Sequence, residues 1–84
     1  YVESREVAEM IAKRHVNLVR DIDNYLCVIL QNSSLSADDF FVESSYQEGT
    51  GKQYKHYLLS KKGCDIVSNK MTGSKGILFT ATYV

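Results

Sequence analysis

SREVAEMIAKRHVNLVRDI, residues 4–22, decides the fold, because it holds two amphipathic helical patterns around a short basic break without proline. Val7, Ala8, Met10 and Ile11 form an apolar stripe at helical spacing. Ser4 is expected as its N-cap, and Glu6 stands in the first turn, where the helix dipole favours an anion. A second stripe follows at Leu18, Val19, Ile22, Leu26, Ile29 and Leu30. Lys13, Arg14 and His15 lie between the stripes, at the start of the second helix. This is the outline of a helix-turn-helix, whose second helix presents its first side chains to DNA. In the usual bacterial register a small residue in the first helix and a glycine in the turn precede two apolar residues of the second. Aligning Ala8 on the small position puts Ala12 where glycine is expected, and Val19 and Ile22 then fall one place late. The turn is therefore expected to be one residue longer than usual.

A chain of 84 residues cannot divide its apolar side chains between two cores, so one domain, 1–84, is expected. The composition, 44% apolar and 11% aromatic, is that of a globular domain and not of a disordered segment. No apolar run approaches the roughly 20 residues that a membrane-spanning helix needs, and no signal peptide is visible. Cys27 and Cys64 each sit among apolar residues of a helical pattern and are expected as buried free thiols, which suits a reducing cytoplasm. Net charge is zero but unevenly spread. Four basic residues face nine carboxylates in residues 1–48, and six lysines face Asp65 alone in residues 49–84. A dipolar molecule with one basic face follows from that division.

NSSLSADD, residues 32–39, ends the helical periodicity with a polar, serine-rich connection. FFVESSY (40–46) and YKHYLL (54–59), aromatic and β-branched, read as two strands around the glycine-containing tip QEGTGKQ (47–53). Alternation places Phe41, Tyr57 and Leu59 on one face. Ser60 is expected to cap a third helix over residues 61–71, with Cys64, Val67 and Met71 on one side and Gly73 as its stop. Ser74 is expected to cap a fourth helix, with Ile77, Leu78, Ala81 and Val84 at helical spacing. The expected fold class is α+β: a small winged-helix-like domain, in which a helix-turn-helix is followed by a β-hairpin and two C-terminal helices. Because the chain opens on Tyr1 and closes in the apolar ILFTATYV, it is expected to be the N-terminal DNA-binding domain excised from a longer protein.

The candidate DNA contacts are Lys13, Arg14, His15, Asn17 and Arg20 on the turn and second helix, and Lys52 and Lys55 on the hairpin wing, with Gln53 and Tyr54 near enough to assist. Arginine can pair bidentately with guanine and asparagine with adenine in the major groove, and lysines neutralise phosphates. Residues at the helix start reach bases first, and Arg20, a turn later, meets phosphate. Asp21 and Asp23 would repel phosphate unless they point away. Lys61 and Lys62 occupy the first turn of the third helix, a place for cations only if an anion is there. His15 and His56 have no cysteine or second histidine at metal-ligand spacing, and His15 is expected to hydrogen-bond locally. In the lysine-glycine tip Tyr46 stands where a phosphate-binding loop needs its first glycine, and Gln53 where it needs Ser or Thr. No metal, cofactor or enzymatic activity is expected.

SREVAEM (4–10), KRH (13–15) with LVRDI (18–22), FFVESSY (40–46), YLLSKKG (57–63), KMTGSKG (70–76) and FTATY (79–83) together resemble the N-terminal domain of the Rha family of phage regulatory proteins, over nearly the whole chain. The resemblance implies a regulator encoded by a bacteriophage or prophage and acting in the bacterial host cytoplasm. Some members resemble antirepressors and carry a further C-terminal domain. The first candidate partner is double-stranded DNA; helix-turn-helix proteins commonly act as dimers on palindromic sites, and the sequence leaves open whether the apolar face of the last helix serves a homodimer or a further domain. The rival partner is a host or phage repressor, bound through an acidic surface of Glu3, Glu9, Asp38 and Asp39.

Overall fold

Val2–Glu3 form a short strand, β1, that leads without a linker into helix α1 (Ser4–Met10). The computed structural model describes residues 1–49, 51–71 and 73–84, the side chains of residues 73–75 and 78 apart. Helix α2 (His15–Leu30) follows, then a 3-10 turn (Ala37–Asp39), the hairpin strands β2 (Phe41–Glu48) and β3 (Lys52–Leu59), and helices α3 (Lys61–Asn69) and α4 (Gly73–Tyr83). The sheet is antiparallel in the order β1-β3-β2, so the strand before the helix pair closes against the far strand of the hairpin. The architecture is the expected α+β, winged-helix-like one.

The helix pair forms for the reasons its spacing suggests, with one exchange of roles at its start. Val7, Ala8 and Ile11 are buried on α1, and Leu18, Ile22 and Ile29 on α2. The N-cap is Glu3, whose carboxylate accepts from the Arg5 N–H at 2.9 Å, and not Ser4. Ser4 is drawn inside because its hydroxyl is needed there, as described below. Helix α1 ends with the Lys13 N–H donating to Ala8 O at 2.9 Å and the Ala12 N–H to Glu9 O at 3.2 Å. That pair of bonds is a Schellman closure, which requires a left-handed residue. Ala12 supplies it at φ 53°, in the place where glycine is usual. On α2 the polar side is broader than expected: Leu30 and Cys27 are exposed, so only Cys64 of the two free thiols is buried.

Phe41, Tyr57 and Leu59 are buried on one sheet face as expected, with Phe41 opposite Leu59 and its ring edge-on to Tyr57 at 6.4 Å. The strands run two residues further toward the tip than their apolar content indicates, through the pair Glu48↔Lys52. Lys52 and Gln53 therefore belong to β3, and the reversal is left to a short turn with Gly51 at φ 80°. Ser60 caps α3 as expected, its Oγ accepting from the Gly63 N–H at 3.1 Å. Helix α3 stops at Asn69, capped by Lys70, and Gly73 opens α4 and does not terminate α3. The cap role expected of Ser74 and the packing of Leu78 lie outside the described side chains. Phe79 anchors α4, fully buried and 5.0 Å from the Tyr83 ring, whereas Ile77 is 71% exposed and Ala81 and Val84 face solvent. The buried side of α4 is thus turned away from the stripe that apolar spacing marks.

Two backbone positions yield stability predictions. A Cβ on Gly63 would lie 2.2 Å from the Phe40 carbonyl oxygen, against backbone that the Ser60 N–H also holds at 3.0 Å. Gly63→Ala is therefore expected to cost about 3 kcal/mol in denaturant unfolding, at the upper end of overpacking penalties. Ala12→Gly is expected to raise stability by about 1 kcal/mol, because glycine carries no left-handed penalty, and so to raise the melting temperature by about 5 °C.

Candidate nucleic-acid interface

The start of α2 is fixed by a single buried hydroxyl. Ser4 Oγ accepts from the Tyr57 N–H of β3 at 3.0 Å and lies 2.8 Å from His15 Nε2. The hydroxyl carries two lone pairs and one proton, so it can take the amide on one side and bond the imidazole on the other with His15 Nε2 as donor or acceptor. Burial also pushes the His15 pKa below its ordinary value, as do Arg5 and His56 nearby, against the opposing pull of Glu3. His15 is thus a locally bonded residue, as expected, and its Nε2 is engaged inside the protein. Beside it, Glu3 accepts from Arg5 Nε at 3.0 Å and pairs with His56 Nδ1 at 2.7 Å. Burial alone would raise the Glu3 carboxyl, but the bonds to His56 and Arg5 bring it below the usual range.

The two carboxylates of α2 are both paired. Asp21 pairs with Lys13, across the turn. Asp23 accepts from the Tyr57 hydroxyl and pairs with Lys55 Nζ at 2.9 Å; Lys55 also lies 3.7 Å from Glu43. Burial works to raise Asp23, and the Tyr57 and Lys55 contacts outweigh it and hold the carboxyl below its ordinary value. Tyr57 is pushed up to about 12, by burial and by the carboxylate it bonds. Two of the expected DNA cations, Lys13 and Lys55, are therefore engaged by α2 itself. Arg14 and Arg20 are exposed and Asn17 half-buried, and none of the three makes a side-chain hydrogen bond or ion pair among the described residues. Lys52 lies 5.5 Å over the Tyr54 ring, on the exposed part of β3.

Between the start of α2 and the hairpin runs a groove of about 510 Å³, lined by Arg14, His15, Val16, Val19, Tyr46, Tyr54 and Lys55. Sequence reasoning brought Arg14, His15 and Lys55 to this place but missed Tyr46. That tyrosine is opposite Tyr54 in register, stacked on it at 5.6 Å, and covered by the Arg5 guanidinium at 3.8 Å. Alternation within FFVESSY was the available signal, but only the cross-strand register makes the pair. Lys61 and Lys62 are exposed on α3 and line none of this groove.

The same geometry fixes an acid sensitivity. His15, with a lowered folded-state pKa, leaves the native state binding fewer protons than the unfolded chain once pH drops through the ordinary value of 6.5. Glu3 and Asp23, also lowered, contribute stability above their ordinary range that is lost as pH falls below it. Thermal unfolding followed by circular dichroism is expected to show a melting temperature that declines below pH 6.5 and declines again in the carboxylate range. His15→Gln, whose amide oxygen can still accept from Ser4, should lose the first decline and keep the second.

The family model described as Phage regulatory protein Rha matches residues 2–84. The chain is 57% identical over 83 residues to a Bacillus subtilis (strain 168) protein named "SPbeta prophage-derived putative antirepressor protein YoqD". The match covers 99% of this chain and 33% of that protein, so the chain spans about a third of the length of this curated relative. No solved structure matches the chain significantly. With the family match running from the second residue to the last, this chain belongs to the Rha family of phage regulatory proteins.

Proposed function

We propose that this Rha-family domain binds double-stranded DNA, with α2 in the major groove and the hairpin on the backbone, and so controls transcription in the bacterial host cytoplasm. The observation that carries the reading is the charge arrangement of α2. Its two carboxylates are neutralised by Lys13 and Lys55, with Asp23 also accepting from the Tyr57 hydroxyl, while Arg14, Asn17 and Arg20 remain available along the outer side. A neutral chain thereby offers a basic, hydrogen-bonding helix face. Asn17, in the first turn, is the candidate for a base edge, and Arg14 at the N-cap and Arg20, further along, are the candidates for phosphates. Lys52 adds a cation on the wing, and Lys13 and Lys55 can exchange their carboxylates for phosphates, since exposed ion pairs contribute only about 0–1 kcal/mol. His15 supports the site by holding the helix start to Ser4.

A second reading, an antirepressor module that binds a repressor, is favoured by the name of the B. subtilis relative. That relative is three times longer than the matched segment, so its named role has other segments in which to reside. The acidic surface needed here is also reduced: Glu3 is engaged by Arg5 and His56, leaving Glu9, Asp38 and Asp39 exposed.

Fluorescence anisotropy with a random-sequence duplex at low and moderate salt separates the two. The DNA reading predicts binding that weakens steeply with salt, and an Arg20→Ala variant whose log–log salt slope is reduced by about one. Absence of binding at low salt and tens of micromolar protein would favour the repressor-binding reading.

A further inference from the structure

We propose that the groove between the start of α2 and the hairpin seats one sugar–phosphate strand of the DNA, and that Lys55 leaves Asp23 to take a phosphate there. The inference rests on the DNA reading above and specifies how the wing engages.

The groove is built by two separate elements and has a mixed chemistry. Arg14 and Lys55 supply a cation from each side, and no carboxylate is among the residues that line it. Its remaining walls are Val16, Val19 and the tyrosine pair Tyr46 and Tyr54, with Val16 62% and Tyr54 39% exposed. A free inorganic anion would leave these apolar walls unused, and an apolar peptide would leave both cations unused. A phosphodiester strand uses both, because its phosphates meet the cations and its deoxyribose C–H faces lie on rings and methyl groups. The first turn of α2 carries no acidic side chain, and Arg14 makes no side-chain cap, so nothing in that turn opposes an anion approaching from the groove.

The walls are held in place before any ligand arrives. Arg5 is clamped by both oxygens of Glu3 and lies on Tyr46, which in turn stacks on Tyr54. Ring positions fixed in this way lose little conformational freedom on binding. Lys55 can leave without orphaning its partner, because Asp23 keeps the hydrogen bond from the buried Tyr57 hydroxyl. Asp23 thus acts as a rest position for the lysine, in competition with phosphate.

The test compares wild type, Lys55→Gln, Tyr54→Ala, Asp23→Asn and Arg20→Ala in binding a random-sequence duplex across a salt series, with melting temperatures to confirm folding. Lys55→Gln should reduce the log–log salt slope by about one. Tyr54→Ala should weaken binding about tenfold at every salt concentration with the slope unchanged, the mark of a lost uncharged contact. Asp23→Asn, which frees Lys55 while leaving an oxygen for Tyr57, should bind more tightly than wild type. If Arg20→Ala weakens binding while Lys55→Gln and Tyr54→Ala bind as wild type does, the groove is not on the DNA path and the reading of α2 alone survives. If wild type binds no duplex, both proposals fall together.

Discussion

The Ser4 hydroxyl is the contact on which the arrangement of this domain depends. It is fully buried and joins the first residue of α1 to the backbone of β3 and to the first residue of α2. Because β1 passes directly into α1, the same residue also sets how the sheet leads into the helix pair. A buried amide left without a partner costs about 1–3 kcal/mol, so the Tyr57 N–H holds the serine inside and the serine holds the imidazole. The start of α2 is thereby set at a fixed distance from the hairpin. The groove, the outward turn of Arg14 and the course of the helix past Asp21 and Asp23 follow from that one point.

Electrostatics on α2 complete the arrangement. A domain of zero net charge presents local charge only where its ions are sorted, and on α2 that sorting is done by ion pairing. Asp21 and Asp23 draw one lysine from the turn and one from the wing, which brings both flanks of the helix toward it. These exposed pairs add little to stability, so their effect is to set where the lysines stand. The arginines have no such partner on the helix.

Much of this was legible in the sequence, and the parts that were not share a cause. The two helical stripes, the basic break, the hairpin and the Ser60 cap are local patterns, and each survives in the structure. Even the unusual register was readable, since Ala12 takes the left-handed place where glycine is usual. Ser4 misled because a cap and a buried bridge call for the same hydroxyl, and only the neighbouring β3 amide decides between them. Strand β1 is two residues long, too short to display alternation. Cys27, Leu30 and Ile77 are apolar positions in helical patterns that the structure leaves exposed, and helical spacing alone does not say which side a neighbouring element covers. Within the candidate site, residue types marked the cations, but the division between Lys13 and Lys55, which are paired, and Arg14 and Arg20, which are not, arises from tertiary contacts. The Tyr46–Tyr54 wall likewise exists only through strand register.

If the outer side of α2 and the adjoining hairpin form one nucleic-acid surface, DNA must touch both together. An amide chemical-shift titration of the isotope-labelled domain with short duplex DNA tests it most directly, because it reports every part of the chain at once. Shifts are expected to cluster at residues 14–20 and on the hairpin around Tyr46, Tyr54 and Lys55, with Val28, Asp38 and Ile77 unmoved. Shifts confined to α3, α4 or the acidic turn, or none at low salt, would contradict it.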